Sequence, residues 1–271
     1  MMLVSAASSL GGYRCLSDAC VEAANLWDGV GTFAKGTFAT GTPGPSGRAG
    51  SMQGQDEWVL QTLNYKRGGS FLSIGEHDGE SYSNTVVLER VYGWRGICVE
   101  ANPHSMAQLR AHRTCAAFNY TLGGALPEEV DFCDAQEMGG VLGLPDRPHM
   151  LQKDTVTGQW AALPGKCPPG AARRVTTTPV QALLQEARAP SVMDYLSIDV
   201  EGAELTILRA FPFEHHRFRC ITVEHNEPLM GPRYRAQLRE LLEGQGYRWA
   251  KGSDSAFGPS VEDFYVWPGE V

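Results

Sequence analysis

One nine-residue stretch, Phe-Leu-Ser-Ile-Gly-Glu-His-Asp-Gly at residues 71–79, constrains the fold of this chain more than any other feature. Its mostly apolar first half predicts a buried strand, and Gly75 and Gly79 predict a turn after it. Apolar residues at helical spacing follow in residues 86–91. A glycine loop between a strand and a helix lets the backbone approach a ligand, and the helix N-terminus favours polar or anionic groups. The stretch alone fits an ordinary tight turn equally well.

A second predicted strand ends in a carboxylate whose sequence separation from the glycine loop is informative. Residues 96–100 form another apolar run, and it ends in Glu100, which lies 21 residues after Gly79. An acidic residue about 20 positions beyond a glycine loop suits the two hydroxyls of a ribose. The glycine spacing does not match Gly-x-Gly-x-x-Gly. We therefore expect a mononucleoside cofactor such as S-adenosyl-L-methionine rather than a dinucleotide.

Composition excludes several classes of function. The chain has 271 residues, of which 42% are hydrophobic, and its net charge is −8. A general nucleic-acid-binding protein needs a basic face, so we expect no nucleic-acid partner. No apolar run is long enough to span a bilayer, and residues 1–10 lack the features of a signal peptide. We expect no membrane span and a cytoplasmic location.

The pattern of the seven cysteines is also consistent with a cytoplasmic location. Their number is odd and no Cys-x-x-Cys pair occurs. Cys98 and Cys220 fall in predicted strands, where we interpret them as small core residues. Cys15 and Cys20 could pair with each other or be exposed thiols. This pattern favours a reducing compartment.

The domain organisation follows from changes in composition. Residues 1–54 are rich in Gly, Ser, Ala and Thr and are interpreted as a flexible tail or a loosely docked arm. Residues 55–271 alternate strand and helix patterns, which predicts a mainly parallel sheet with helices on both faces. Within them, residues 124–178 lose this periodicity and hold many Gly and Pro residues. We interpret that insertion as a lid over a site, with a disordered insertion as the alternative.

Candidate catalytic residues follow the fourth predicted strand. Asp199 ends this strand in the sequence Ile-Asp-Val-Glu-Gly-Ala-Glu, and Glu201 begins the turn after it. Ligands bind outside the carboxyl ends of the strands in sheets of this type. Glu204 has a structural explanation, because a carboxylate in the first turn of a helix stabilises the helix dipole.

The fifth predicted strand ends in polar residues in the same way, with Glu224-His225-Asn226. His225 is our first candidate for a general base, because the pKa of histidine lies near neutral, and Glu201 and Asp199 come next. The carboxylates and His225 could also hold a divalent cation, but no tight ligand spacing supports this, and we predict no metal.

Taken together, these motifs resemble the FkbM family of S-adenosylmethionine-dependent methyltransferases over residues 69–266. The resemblance implies the Rossmann-like class I methyltransferase fold, with a seven-stranded sheet whose last strand is antiparallel. It also implies O-methylation of a hydroxyl on a small-molecule, glycan or lipid-like acceptor. The segments that carry it are residues 70–79, 93–103, 195–204, 224–226 and 263–266.

The same resemblance assigns the donor site. The loop with Gly75 and Gly79 would hold the amino-acid end, Glu100 the ribose, and Asn102 the adenine, together with part of residues 131–135. Asp199 would offset the positive charge of the donor.

The chain departs from the family pattern in the donor loop. The family usually has Asp at the position of Ser73, and Ala-Asn at the positions of Glu76 and His77. We expect Ser73 to contact the donor and Glu76 to replace the missing carboxylate by meeting the ammonium group. These departures also leave open a non-catalytic binding module, and a nucleotide-dependent oxidoreductase remains a further alternative.

Overall fold

The computed structural model describes residues 50–135, 139–144, 149–153, 160–164, 167–253 and 261–269. The predicted tail therefore falls outside the described residues over positions 1–49. Its last residues, 50–54, lead directly into the first helix.

The helices are α1 (Gln55–Thr62), α2 (Val86–Tyr92), α3 (Pro103–His112), α4 (Val180–Glu186), α5 (Glu204–Arg209), α6 (Glu227–Met230) and α7 (Pro232–Gly244). The strands are β1 (Ser70–Ile74), β2 (Arg95–Val99), β3 (Ala116–Phe118), β4 (Leu122–Gly123), β5 (Glu129–Cys133), β6 (Gly140–Val141), β7 (His149–Lys153), β8 (Trp160–Pro164), β9 (Ala172–Thr176), β10 (Thr178–Pro179), β11 (Val192–Ile198), β12 (Arg217–Glu224), β13 (Arg248–Gly252) and β14 (Glu262–Val266).

Seven strands form one sheet in the order β13-β14-β12-β11-β1-β2-β3. The strands from β12 to β3 in this order are all parallel. Strand β14, the last in the chain, is antiparallel to both β12 and β13. This topology is the Rossmann-like class I methyltransferase fold, and it confirms the predicted fold class.

Helices cover both faces of the sheet, because neighbouring residues of a strand point to opposite sides. In β1, Leu72 and Ile74 pack with apolar residues of α4, α5 and α7. Phe71, on the other face, packs with residues of α1, α2 and α3. The short apolar runs predicted from the sequence are therefore strands buried on both sides.

Asn102 begins α3 as the sequence pattern suggests. Its side-chain oxygen accepts hydrogen bonds from the backbone N–H groups of His104 at 2.8 Å and Ser105 at 3.3 Å. Pro103 occupies the first helical position, where a missing N–H is harmless. The cap fixes the chain direction just after the end of β2.

The insertion contains strands that the sequence analysis did not predict. Strands β6, β5 and β9 form a small antiparallel sheet, and β7 pairs with β8. Phe132 of β5 and Val141 of β6 are buried. The described part of the insertion is therefore a folded element with its own apolar side.

Two disulfides correct the interpretation of the cysteines. Cys98 of β2 is bonded to Cys115, and Cys133 of β5 is bonded to Cys167. Cys98 is thus a cross-link and not merely a small core residue, whereas Cys220 is a buried free thiol as predicted. Disulfides form and persist in oxidising compartments, so these bonds argue against the expected reducing environment.

Within the described parts of the chain, no helix combines the length and apolar character needed to cross a bilayer.

Candidate active site

A cavity of about 690 Å³ opens at the carboxyl ends of the parallel strands. Its volume lies within the range of small-molecule and cofactor sites. It is lined by the residues that follow β1, β2, β11 and β12, by the segment before α1, and by the insertion. The predicted position of the site outside the strand ends is therefore the position of this cavity.

Gly75 allows the backbones of two strands to meet at the floor of the cavity. Its φ of +85° is in the left-handed region, and a Cβ there would lie 1.6 Å from the carbonyl oxygen of Asp199. Any side chain at this position would separate the ends of β1 and β11. Gly79 is different: it does not line the cavity, and a Cβ there would meet the side chain of Arg113 at 2.7 Å.

Glu76 is already paired inside the protein. Its carboxylate accepts hydrogen bonds from Arg113, Ser83 and Thr85, and the side chain is 1% exposed. The buried Arg113 also contacts Glu89, at 3.0 Å from Nη2 and 3.1 Å from Nε. These contacts argue against the expected pairing of Glu76 with the donor's ammonium group. Its evident role is to fix the loop that connects β1 to α2.

Glu100 lies in the wall of the cavity with both oxygens oriented by backbone amides. Its Oε2 accepts from His77 N at 2.8 Å and its Oε1 from Asn102 N at 2.7 Å. Burial raises the pKa of Glu100 to about 7, although these amide hydrogen bonds lower it. A carboxylate has about four acceptor positions, and the backbone amide of Ala101 also contributes a hydrogen bond, so acceptor capacity remains for a ligand hydroxyl. The geometry is compatible with the predicted contact to a ribose.

The wall beyond Glu100 is flat and largely apolar. Tyr120 and Leu122 follow β3, and Phe132 reaches in from the insertion. The guanidinium of Arg173 lies over the Phe132 ring, 5.0 Å from its centre, in a cation–π contact. Asn102 also lines this end. The adenine position predicted from the sequence lies at this end of the cavity and stays a prediction.

Three carboxylates meet at the opposite end of the cavity. Oxygen atoms of Asp199, Glu201 and Glu224 lie within 4.8 Å of one another. Burial raises the pKa of Asp199 to about 6, and burial and the charge of Asp199 raise that of Glu224 well above its usual range. Because these carboxyl groups are buried and close together, the site disfavours the ionisation of both Asp199 and Glu224 at once.

The turn after β11 positions this cluster. Glu201 has a left-handed backbone with φ of 57°. The carboxylate of Glu204 accepts from Val200 N at 2.9 Å and Gly202 N at 3.1 Å, and Tyr234 donates to it at 2.6 Å. Glu204 is therefore a structural residue of the turn, which agrees with its expected non-catalytic role.

Left-handed backbone is concentrated around the cavity. Strained positions of this kind persist where the surrounding structure fixes them, and they are common at functional sites. The cavity-lining residues other than glycine with positive φ are His77, Tyr82, Glu201 and Asn226, at 51°, 59°, 57° and 42°.

His225 lies outside the cavity. Its side chain is 1% exposed, its Nδ1 accepts from Glu227 N at 3.1 Å, and its Nε2 lies 3.9 Å from Asp263 Oδ1. Burial lowers the pKa of His225 to about 4. The geometry argues against the predicted general-base role, because the ring contacts Glu227 N and Asp263 and does not line the cavity.

The carboxylate cluster could also ligate a divalent cation, an alternative considered from the sequence. Asp199, Glu201 and Glu224 each offer one oxygen, and such ligands suit Mg²⁺ or Ca²⁺. His225, which the sequence placed in the same ligand set, is not part of this group.

Several lining residues were missed from the sequence. Met52 precedes α1, and Tyr82, Ser83 and Asn84 lie in the loop before α2. Ser73 lines the cavity as expected. The polar sequence Ser-Asn-Thr immediately before an apolar helix was the available signal for this loop.

Three solved structures with a related fold are distant in sequence. A precorrin-6y C5,15-methyltransferase from Geobacter metallireducens GS-15 is 12% identical, with a TM-score of 0.39, covering 85% of this chain and 97% of that chain. Fibrillarin from Aeropyrum pernix, with natively bound S-adenosyl-L-methionine, is 12% identical, with a TM-score of 0.40 and coverage of 76% and 74%. The methyltransferase domain of METTL16 is 11% identical, with a TM-score of 0.43 and coverage of 92% and 94%.

No curated protein matches the sequence. Residues 73–249 match the family described as the methyltransferase FkbM domain. This match covers more than half of the chain and includes the strand ends that form the cavity. The chain therefore belongs to the FkbM methyltransferase domain family.

Proposed function

We propose that this chain is an S-adenosyl-L-methionine-dependent O-methyltransferase acting on a hydroxyl of a small-molecule, glycan or lipid-like acceptor. The observation that carries the proposal is the arrangement of one continuous cavity, with Glu100 at one end and the carboxylates of Asp199, Glu201 and Glu224 at the other. The first end suits a nucleoside, and the second supplies a base.

The residues around the cavity fit the donor. Glu100 retains acceptor capacity for a ribose hydroxyl, and Phe132 and Asn102 flank the space for an adenine. Asn84 carries a buried side-chain oxygen without a hydrogen-bond partner, which suits a polar ligand group. When bound, S-adenosyl-L-methionine supplies an activated methyl group on a positively charged sulfur. The nearby carboxylates complement that charge.

Asp199 and Glu224 are the best candidates for proton acceptance. A hydroxyl becomes a better nucleophile when its proton is taken up as the new bond forms. The raised pKa of Asp199, about 6, leaves it ionised yet moderately basic at neutral pH. The pair can therefore accept the proton, while the cavity holds oxygen, methyl and sulfur in line.

The mouth of the cavity supports an acceptor with an apolar part. Met52 and Tyr82 are 63% and 59% exposed, and Pro228 and Leu229 line the same cavity near Glu224. Such a surface accommodates an acyl chain or the apolar face of a sugar while a hydroxyl reaches the carboxylates. The acidic floor opposes a nucleic-acid acceptor.

The test is methyl transfer from labelled donor to matched pairs of acceptors that carry either a hydroxyl or an amine. Labelled ether or ester products support the proposal. Transfer only to amines would assign the acidic cluster to ammonium recognition instead. Activity that is lost on chelation and restored by Mg²⁺ would favour the metal alternative.

Two other functions have distinct signatures. A non-catalytic binding module would bind S-adenosyl-L-methionine with no turnover on any acceptor or in cell extract. An oxidoreductase would bind NAD and neither S-adenosyl-L-methionine nor its demethylated product. Calorimetry with these three ligands separates the alternatives before any acceptor is known.

A further inference from the structure

We propose that the side-chain amide of Asn84 binds the α-ammonium group of the methyl donor, so that this chain recognises that charge with a neutral acceptor. The inference rests on the proposed function, since it requires the donor in this cavity. It assigns a role to a residue outside the glycine loop and the strand ends.

Asn84 is buried, fixed and incompletely hydrogen-bonded. The residue is 8% exposed and lines the cavity. Its Nδ2 donates to the hydroxyl of Ser197 at 2.9 Å, whereas its Oδ1 has no hydrogen-bond partner among the described residues. A buried carbonyl oxygen without a donor is unfavourable by about 1–3 kcal/mol. A ligand N–H group reaching this oxygen would remove that cost.

The position suits the amino-acid end of the donor. Ser197 of β11 is the register partner of Ser73 of β1, so Asn84 lies over the strand pair that ends in Gly75 and Asp199. Glu100 follows β2, which pairs with β1 on the side opposite to β11. A donor with its ribose at Glu100 and its sulfur near Asp199 would extend its amino-acid end toward Asn84.

The carboxylates near this end already have partners. Glu76 is paired with Arg113 and with the hydroxyls of Ser83 and Thr85. Asp199 lies in the cluster with Glu201 and Glu224 at the acceptor end, where their oxygen atoms are within 4.8 Å of one another. The ammonium group of a bound donor would therefore find the amide oxygen of Asn84 more accessible than a free carboxylate.

The neighbours of Asn84 hold it in place before any ligand arrives. The hydroxyl of Ser83 accepts from Thr85 N at 3.2 Å and Val86 N at 3.0 Å, which ties it to the start of α2. Ser83 and Thr85 also bond to the Glu76–Arg113 pair. Both flanking residues are thus anchored, so the amide is oriented by the protein itself.

The experiment measures binding of S-adenosylhomocysteine and of its analogue without the α-amino group, by calorimetry. For Asn84→Ala we expect a loss of about 10- to 100-fold in affinity for S-adenosylhomocysteine, the range for a hydrogen bond to a charged group, and little change for the analogue. Ser197→Ala, which frees the amide to rotate, should give a smaller loss with the same selectivity. Thr121→Val, on the adenine side of the cavity, should change both affinities equally.

Each outcome decides the matter. If the parent protein binds neither ligand, the proposed function fails. If it binds both, and Asn84→Ala or Ser197→Ala weakens the two ligands by the same factor, Asn84 is structural and the inference is wrong. A third ligand, the analogue that keeps the α-amino group but lacks the carboxyl group, tests the orientation of the amide: if Asn84→Ala leaves its binding unchanged, the amide contacts the donor's carboxylate, which also overturns the inference. Thermal melting of each variant establishes that it is folded.

Discussion

Glu100 is subject to two opposing physical effects at the scale of one residue. Burial disfavours its ionised form, whereas the amides of His77 and Asn102 favour it, and the resulting pKa is about 7. A ribose hydroxyl donates its hydrogen bonds best to the ionised carboxylate. Nucleoside binding at this site should therefore depend on pH in the physiological range.

We predict that S-adenosylhomocysteine binds more tightly at pH 8 than at pH 6, by up to about 10-fold, because Glu100 ionises as the pH rises through its pKa. Glu100→Gln should remove this pH dependence, and Glu100→Ala should weaken binding at pH 8 by about 10- to 100-fold. Calorimetry across the pH range measures both effects. Unaltered binding by Glu100→Ala would refute the ribose assignment.

The base assignment leads to a second prediction at this scale. Asp199→Asn should lower turnover by about 100-fold or more, as for loss of a general base, with cofactor affinity changed much less. Glu224→Gln should have a smaller effect, because burial and neighbouring carboxylates already raise the pKa of Glu224 and favour its neutral form. In the parent protein, kcat should fall as the pH drops through about 6, because Asp199 then becomes protonated.

His225→Gln is the matched control for these two variants. His225 ends the same strand as Glu224 but faces Asp263 and lies outside the cavity. Its variant should retain most of the turnover. The opposite result, an inactive His225→Gln with active Glu224→Gln and Asp199→Asn, would restore the histidine as the base.

At the scale of elements, the sequence was informative where the signal is local. The apolar run before Gly75, the apolar run that ends at Glu100 and the cap at Asn102 each depend on a few adjacent residues. They correspond to β1, β2 and the start of α3 in the structure. The fold class and the position of the site follow from them. The strand ends that carry Asp199 and Glu224 were found for the same reason.

What the sequence could not indicate depends on distant partners. Arg113 lies 37 positions from Glu76, so nothing local shows that this carboxylate is already paired. The orientation of His225 depends on the left-handed backbone at Asn226 and on Asp263 across the sheet. Strand β9 was missed because its residues alternate between exposed and partly exposed, with few apolar side chains to mark it.

The loop between β1 and α2 yields a prediction about stability. Arg113→Met should lower the free energy of unfolding by about 3–5 kcal/mol, because it leaves the buried carboxylates of Glu76 and Glu89 without their cation. Chemical denaturation measures the change. Arg110→Met, at an exposed position of α3 one turn earlier, is the control and should have little effect. Equal stability of the two variants would contradict the assigned role of the pair.

At the scale of the whole molecule, the two disulfides among the described residues connect the fold to the walls of its cavity. Cys98 lies two residues before Glu100, and Cys133 directly follows Phe132. The bridges close segments with sequence separations of 17 and 34 residues. Bridges of this size typically stabilise a protein by about 2–4 kcal/mol each. They therefore bear on both global stability and the shape of the site.

We predict that reduction lowers the free energy of unfolding by about 2–4 kcal/mol per bridge and weakens binding of S-adenosylhomocysteine. Denaturation curves and calorimetry, with and without reductant, measure the two effects. Replacing Cys98 and Cys115 by Ala should affect the nucleoside end, because the bridge holds the strand that leads to Glu100. Replacing Cys133 and Cys167 should instead loosen the wall at Phe132. Because disulfides form and persist mainly in oxidising compartments, we expect protein isolated from its natural source and alkylated without reduction to leave these four cysteines unlabelled, and labelling of any of them would contradict this.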